Sequence, residues 1–270
     1  LPLNTGFINL FIIYRSSFAV RDIAFSCLGR LKLIHHCNTM SKTKSLRTQQ
    51  TVALDRAPEE DITLAKRVLR QESDGLATLA DSLGPVFIRA VDILQGIDGR
   101  VVVTGMGKSG HIGRKISSTL ASTGIPSFFV HPGEASHGDL GMIDRTDAVI
   151  AISNSGETPE MSDLIAYTRR FKVPLIAITS NPKGTIGEQA DVTLLLPPAE
   201  EACPMGLAPT TSTTMAMALG DTIAVVLMSR LRFTVEDFKL RHPGGQLGKR
   251  LLKVSDIMHQ GEALPLTNGK

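Results

Sequence analysis

Five short segments, apolar at nearly every position, limit what this chain can fold into more than any other feature. They are residues 101–104, 127–130, 148–152, 175–179 and 192–196. Strands apolar on both sides belong in a sheet covered on both faces, the usual setting of parallel pairing. Helical patterns at 111–122, 159–171 and near 186–189 fill several of the intervals. Alternation of this kind predicts a doubly wound α/β sandwich built on a five-stranded parallel sheet. Two helices precede it. Ile62, Ala65, Val68, Leu69, Leu76, Leu79 and Leu83 mark the first, and Val86, Phe87, Ala90, Val91 and Leu94 mark the second, with Pro85 near its first turn. A long helix from about 211 to 230 and a shorter one around 235–240 follow the sheet.

Ligands of open α/β sheets bind beyond the carboxyl ends of the strands, so the turns found there carry the functional information. The first runs Gly105-Met106-Gly107-Lys108-Ser109-Gly110, and a second runs Ser153-Asn154-Ser155-Gly156-Glu157-Thr158. A third cluster, Thr210 to Thr214, opens the long helix after Pro209. Amides at a helix start, joined by hydroxyls, offer an anion several donors and the positive end of a dipole. Capping explains one such cluster; three together point to a phosphorylated small molecule. Two familiar nucleotide motifs are excluded. A P-loop needs glycine where Val102 stands, and a dinucleotide site needs an acid closing the second strand, which here runs into His131-Pro132-Gly133.

Composition removes other classes. The net charge of +3 and the absence of tryptophan argue against nucleic acid. Three cysteines make no disulfide framework and fit a reducing cytoplasm. No apolar run is expected to reach the roughly 20 residues that span a bilayer. Residues 1–58 read as an N-terminal extension, disordered or spurious. Within it residues 1–39 have the composition of an organellar transit segment or of sequence upstream of a start at Met40. The tail from Val254 reads as the opening of another module.

The turns GMGKSGH and SNSGET, with HPGEASHGD between them and EACPMGLAPTTSTT after, resemble the sugar isomerase (SIS) domain, and within it the D-arabinose 5-phosphate isomerases. The resemblance covers residues 59–253 and implies a flavodoxin-like strand order. It also reads 254–270 as the start of a CBS domain, of which family members commonly carry a tandem pair. The implied reaction interconverts D-ribulose 5-phosphate and D-arabinose 5-phosphate through a cis-enediol, supplying the eight-carbon acidic sugar of lipopolysaccharide. No cofactor is required, and a homo-oligomer, often a tetramer, with sites assembled between subunits is implied. Rival readings are a sugar-phosphate sensor without catalysis and an isomerase of another sugar phosphate.

Residues alone leave Glu200 and Glu201 evenly matched as the base; the family pattern favours Glu201. Partial desolvation by Pro198, Ala202, Met205 and Leu207 is expected to raise its pKa. His242, before Pro-Gly-Gly, is either a helix-end cap or, by resemblance, an acid/base for ring opening contributed across a subunit boundary. Lys108 is expected to hold developing negative charge or the phosphate. Glu160 matches a further functional position of the family or simply favours a helix dipole. Substrate contacts are expected from Ser109, Gly124, His137, Ser153, Asn154, Ser155, Thr158, Thr210 and Ser212. By resemblance His131 binds zinc, as inhibition rather than catalysis. Cys203 has no activating partner legible in the sequence.

Overall fold

Helix α1 (Pro58–Ser82) and helix α2 (Pro85–Gln95) are separated where Leu83 and Gly84 turn extended, and each helix begins with proline at its first turn. The alternation then runs β1 (Val101–Gly105), α3 (Gly107–Ser122), β2 (Ser127–Val130), α4 (Pro132–Ala135), β3 (Ala148–Ile152), α5 (Ser162–Phe171), β4 (Leu175–Thr179), α6 (Thr185–Gln189) and β5 (Val192–Leu195). It closes with α7 (Thr211–Arg230) and α8 (Val235–Arg241). This computed structural model describes residues 57–243, with Met258, His259 and Leu264 as isolated positions beyond. The expected extension over 1–58, apart from Ala57 and Pro58, and the expected module from 254 lie outside the described residues.

All strand pairs are parallel, in the order β2-β1-β3-β4-β5. That is the flavodoxin-like order, with its switch point between β1 and β3. Alternate side chains feed two cores, as the period of a strand requires. Val101, Val103, Ile150 and Ile178 face α2, α3 and α7, whereas Val102, Val149, Ala151 and Ala177 face α5 and α6. Apolar residues on both faces explain why the strand segments lack a polar alternation.

The structure corrects two sequence expectations. Among the helices, α7 is long and apolar enough to cross a membrane by length and composition, with mean hydropathy 1.3. Half of that window is buried, because α7 lies against α3 and the sheet. Gly220 permits the approach: a Cβ there would stand 2.3 Å from the Ile116 side chain. In α1 only Gly75 and Leu79 are buried, and the expected core positions Ile62 and Leu69 are exposed. The second half of α1 rests on the start of α7, where a Cβ on Gly75 would meet Thr211 at 2.7 Å.

Candidate active site

The first glycine-rich turn owes its glycines to geometry. Gly107 has φ +55°, a left-handed conformation strained for other residues. A Cβ on Gly110 would lie 2.5 Å from the Gly105 carbonyl oxygen, so β1 and α3 close directly on one another. The first amides of α3 have no intrahelical acceptors and open on the carboxyl edge of the sheet beside Lys108 and Ser109. A dinucleotide-like spacing thus arises from a tight strand–helix junction.

The second turn is fastened internally. The Ser153 hydroxyl accepts from the Gly156 amide at 3.1 Å and pairs with the Thr158 hydroxyl at 2.7 Å, while the Ser155 hydroxyl lies 3.5 Å from it. Ser153 is buried and Ser155 exposed, so the first shapes the turn and the second presents it. The turn after β4 supports this crest from behind. The Ser180 amide donates to the Asn154 carbonyl at 3.1 Å, and the Asn181 side chain to the Ser155 carbonyl at 3.0 Å. Sequence reading missed this supporting role; the signal was Ser-Asn-Pro directly after an apolar strand.

The third cluster closes on Glu201. Its Oε2 accepts from the Thr210 amide at 2.7 Å, the Thr210 hydroxyl at 3.0 Å and the Ser212 amide at 3.3 Å, and its Oε1 accepts from the Ser212 hydroxyl. The carboxylate thereby caps the first turn of α7. Burial pushes the Glu201 carboxyl up, but the Ser212 hydroxyl and the Thr210 and Ser212 amides outweigh it and hold the group below its ordinary value. This reverses the raised pKa expected from sequence. Two of the four side chains expected to desolvate it, Met205 and Leu207, are 73% and 77% exposed. Glu200 differs from its neighbour: it is exposed, and its backbone carbonyl accepts from Gln71 of α1 at 2.9 Å.

A cavity of about 210 Å³ joins the three turns. Met106, Lys108 and Ser109 come from the first, Asn154 from the second, and Ser212 and Thr213 from the third, over an apolar floor that includes Ile152 and Ala216. Thr158 opens instead on a neighbouring hollow of about 110 Å³, shared with Ser162 and Thr185. Glu160 is exposed in the short 3-10 turn before α5, on the same edge of the sheet. His137 is exposed beyond β2, outside the cavity lining. His131 caps α4, its Nδ1 accepting from the Gly133 amide at 3.2 Å. Among the described residues no three His, Cys, Asp or Glu side chains gather into a metal-binding group, so the donor set around His131 does not fit zinc by itself.

Two expected site residues lie at the opposite edge of the sheet. Gly124, with φ +98°, ends α3: its amide bonds to Ala121 and that of Ile125 to Leu120, the paired closure of a Schellman cap. The Phe233 ring covers it at 2.6 Å from where a Cβ would stand. Gly124 therefore shapes the end of α3 and does not line the cavity beside Lys108. His242 stacks on Phe238 at 3.9 Å and its Nδ1 lies 2.8 Å from the Phe238 carbonyl oxygen. Arg241 lies over the Phe233 ring, which keeps the end of α8 at the same edge as Gly124. One subunit does not bring His242 to Glu201. Cys203 lies in the loop as expected of it, where amides of Ala208, Met205 and Leu207 hold its thiol below the ordinary value.

A family model described as the SIS domain matches residues 94–226, which span β1 to β5 and most of α7. A solved structure of the E. coli CFT073 protein c3406, in complex with arabinose 5-phosphate, is 39% identical with a TM-score of 0.68, covering 70% of this chain and all of that one. The chain belongs to the SIS-domain family. The arabinose 5-phosphate isomerase KdsD of Yersinia pestis is 55% identical over 201 residues, 74% of this chain and 61% of that protein. The enzyme of the same name from Escherichia coli K12 is 54% identical over 201 residues, with the same shares. This SIS-domain chain spans about three-fifths of the length of the curated relatives it matches.

Proposed function

We propose that the protein is an aldose–ketose isomerase interconverting D-ribulose 5-phosphate and D-arabinose 5-phosphate. The observation that carries this reading is the one cavity lined by Lys108, Ser109, Asn154 and Ser212, the last of which holds the Glu201 carboxylate. Its support from relatives is the 55% identity to an enzyme of that name. The exposed Ser155 hydroxyl, presented by a turn that Ser153 and Thr158 fasten, and the first amides of α3 suit a phosphate dianion. An ionised Glu201 suits removal of the proton that moves between C1 and C2, and Lys108 suits the enediolate charge that then develops. One proton moves from C1 to the carboxylate and on to C2 while a second passes from O1 to O2, so atoms and charge balance without a redox partner.

The same reading assigns ring opening to His242 supplied by a second copy of the chain, since the histidine lies across the sheet from its own Glu201. A homo-oligomer, a tetramer in this proposal, is supported by the exposed apolar residues Ile62 and Leu69 of α1 and Val225 of α7. A cytoplasmic setting, supported by the free Cys203 thiol, and supply of the lipopolysaccharide sugar belong to the same proposal. Purified protein given ribulose 5-phosphate should form the aldose. Turnover of a hexose phosphate alone would assign another isomerase, and binding without turnover would assign a sensor.

A further inference from the structure

Ser212 lines the cavity and Thr210 stands two residues before it, where a substrate contact is the obvious role. Their hydrogen bonds are already committed. Glu201 Oε2 takes the Thr210 amide, the Thr210 hydroxyl and the Ser212 amide, whereas Oε1 takes the Ser212 hydroxyl alone. The Thr210 hydroxyl also accepts from the Ala202 amide at 2.8 Å, which fastens the loop on the far side of the carboxylate. Ser212 is 7% exposed, so its single hydroxyl proton has little solvent to turn to. The two carboxylate oxygens are therefore unequal: one is saturated by the start of α7, the other is held by one donor.

We propose that Thr210 and Ser212 are positioning residues for the base: Thr210 fixes Oε2 of Glu201 against α7, and the Ser212 hydroxyl orients Oε1, which takes the substrate proton. This rests on Glu201 being the base, as proposed above. A near-attack geometry needs the accepting atom held to within a fraction of an ångström. A carboxylate clamped through one oxygen by three donors meets that need, and a freely rotating one does not. The clamp also explains why this loop acid is kept ionised, because each donor favours the charged form. The other charged or titratable groups nearby are Lys108 from α3, which lines the same cavity, and Glu200 and Cys203 in the loop itself. From helix α1 the neutral Gln71 donates to the Glu200 carbonyl at 2.9 Å.

The test uses the full chain as wild type, Ser212→Ala and Ser212→Thr. Side-chain carboxyl ¹³C shifts are titrated, with Glu201 assigned by its loss in Glu201→Gln, and pH–rate profiles are recorded with ribulose 5-phosphate. In Ser212→Ala the Glu201 titration and the acid limb of kcat should both move to higher pH. Plateau kcat should fall about tenfold, the worth of one hydrogen bond to a charged group, with KM changed less than about twofold. Ser212→Thr, which keeps the hydroxyl, should restore both readouts. An unmoved Glu201 titration overturns the proposal. So does a raised KM with an unmoved acid limb, which would return Ser212 to the substrate. If wild type turns over no sugar phosphate, the isomerase reading fails while the carboxyl titration still decides the clamp.

Discussion

The two edges of this sheet use the same polar residue types to opposite ends. At the amino edge two acids, Asp147 and Asp191, are spent on the fold. Asp147, 1% exposed, accepts from the Arg100 amide at 2.7 Å and the Asp144 amide at 2.9 Å, and pairs with the Arg100 guanidinium. Asp191 repeats the device two strands away, accepting from the Leu175 amide at 2.7 Å and pairing with Arg169. Each acid stands just before one strand and holds the amide leading into the adjacent strand. At the carboxyl edge Glu201 also caps backbone amides, yet one of its oxygens is held by a single donor, the hydroxyl of Ser212, which lines the cavity. What sets Glu201 apart from the structural acids here is its neighbourhood, since its donor Ser212 also lines a cavity.

Substitutions can break that contrast, beginning with the largest effect. Glu201→Gln removes the base while keeping the shape, so kcat should fall by roughly 10²-fold or more with KM little changed. Wild-type turnover in steady-state assays would end the assignment. Asp147→Ala should do the reverse: leaving buried amides unpaired costs about 2–4 kcal/mol in denaturant unfolding, with kcat unaltered in the folded fraction. A large loss of kcat without loss of stability would erase the distinction between the edges.

Ser155→Ala tests the presenting crest. Loss of a hydrogen bond to a charged phosphate, about 1.5–3 kcal/mol, should appear in KM, and an unchanged KM would remove Ser155 from the site. The smallest effect is a pH dependence at the amino edge. The Arg169 guanidinium and the Leu175 amide hold Asp191 below its ordinary value despite some burial. Its stabilisation is therefore fully present above the ordinary carboxylate range and is lost as pH falls through the lowered value. Asp191→Asn should be less stable than wild type at neutral pH, and the gap should narrow on acidification. A gap independent of pH would show that charge at Asp191 contributes nothing.

The fold was largely legible because its cause is local. Strands apolar on both faces have few arrangements that bury them, and helices between them leave the doubly wound sheet as the solution. The turns after β1 and β3 were legible for a related reason: a parallel strand running into Gly or Ser must turn at the carboxyl edge. Boundaries near prolines were less so, as 159–161 forms a 3-10 turn before α5.

Sequence by itself determined the strand set, the parallel class and the identity of the crests, since period and turn chemistry act over neighbouring residues. Tertiary structure decided the rest. It moved Gly124 and His242 to the far edge, because the length of α3 and α7 sets where a chain re-enters the sheet. It also reversed the direction of the Glu201 pKa, because donors nine and eleven residues away return to the carboxylate only once α7 has formed. Charge state depends on which dipoles meet in space, and spacing along a chain does not fix that.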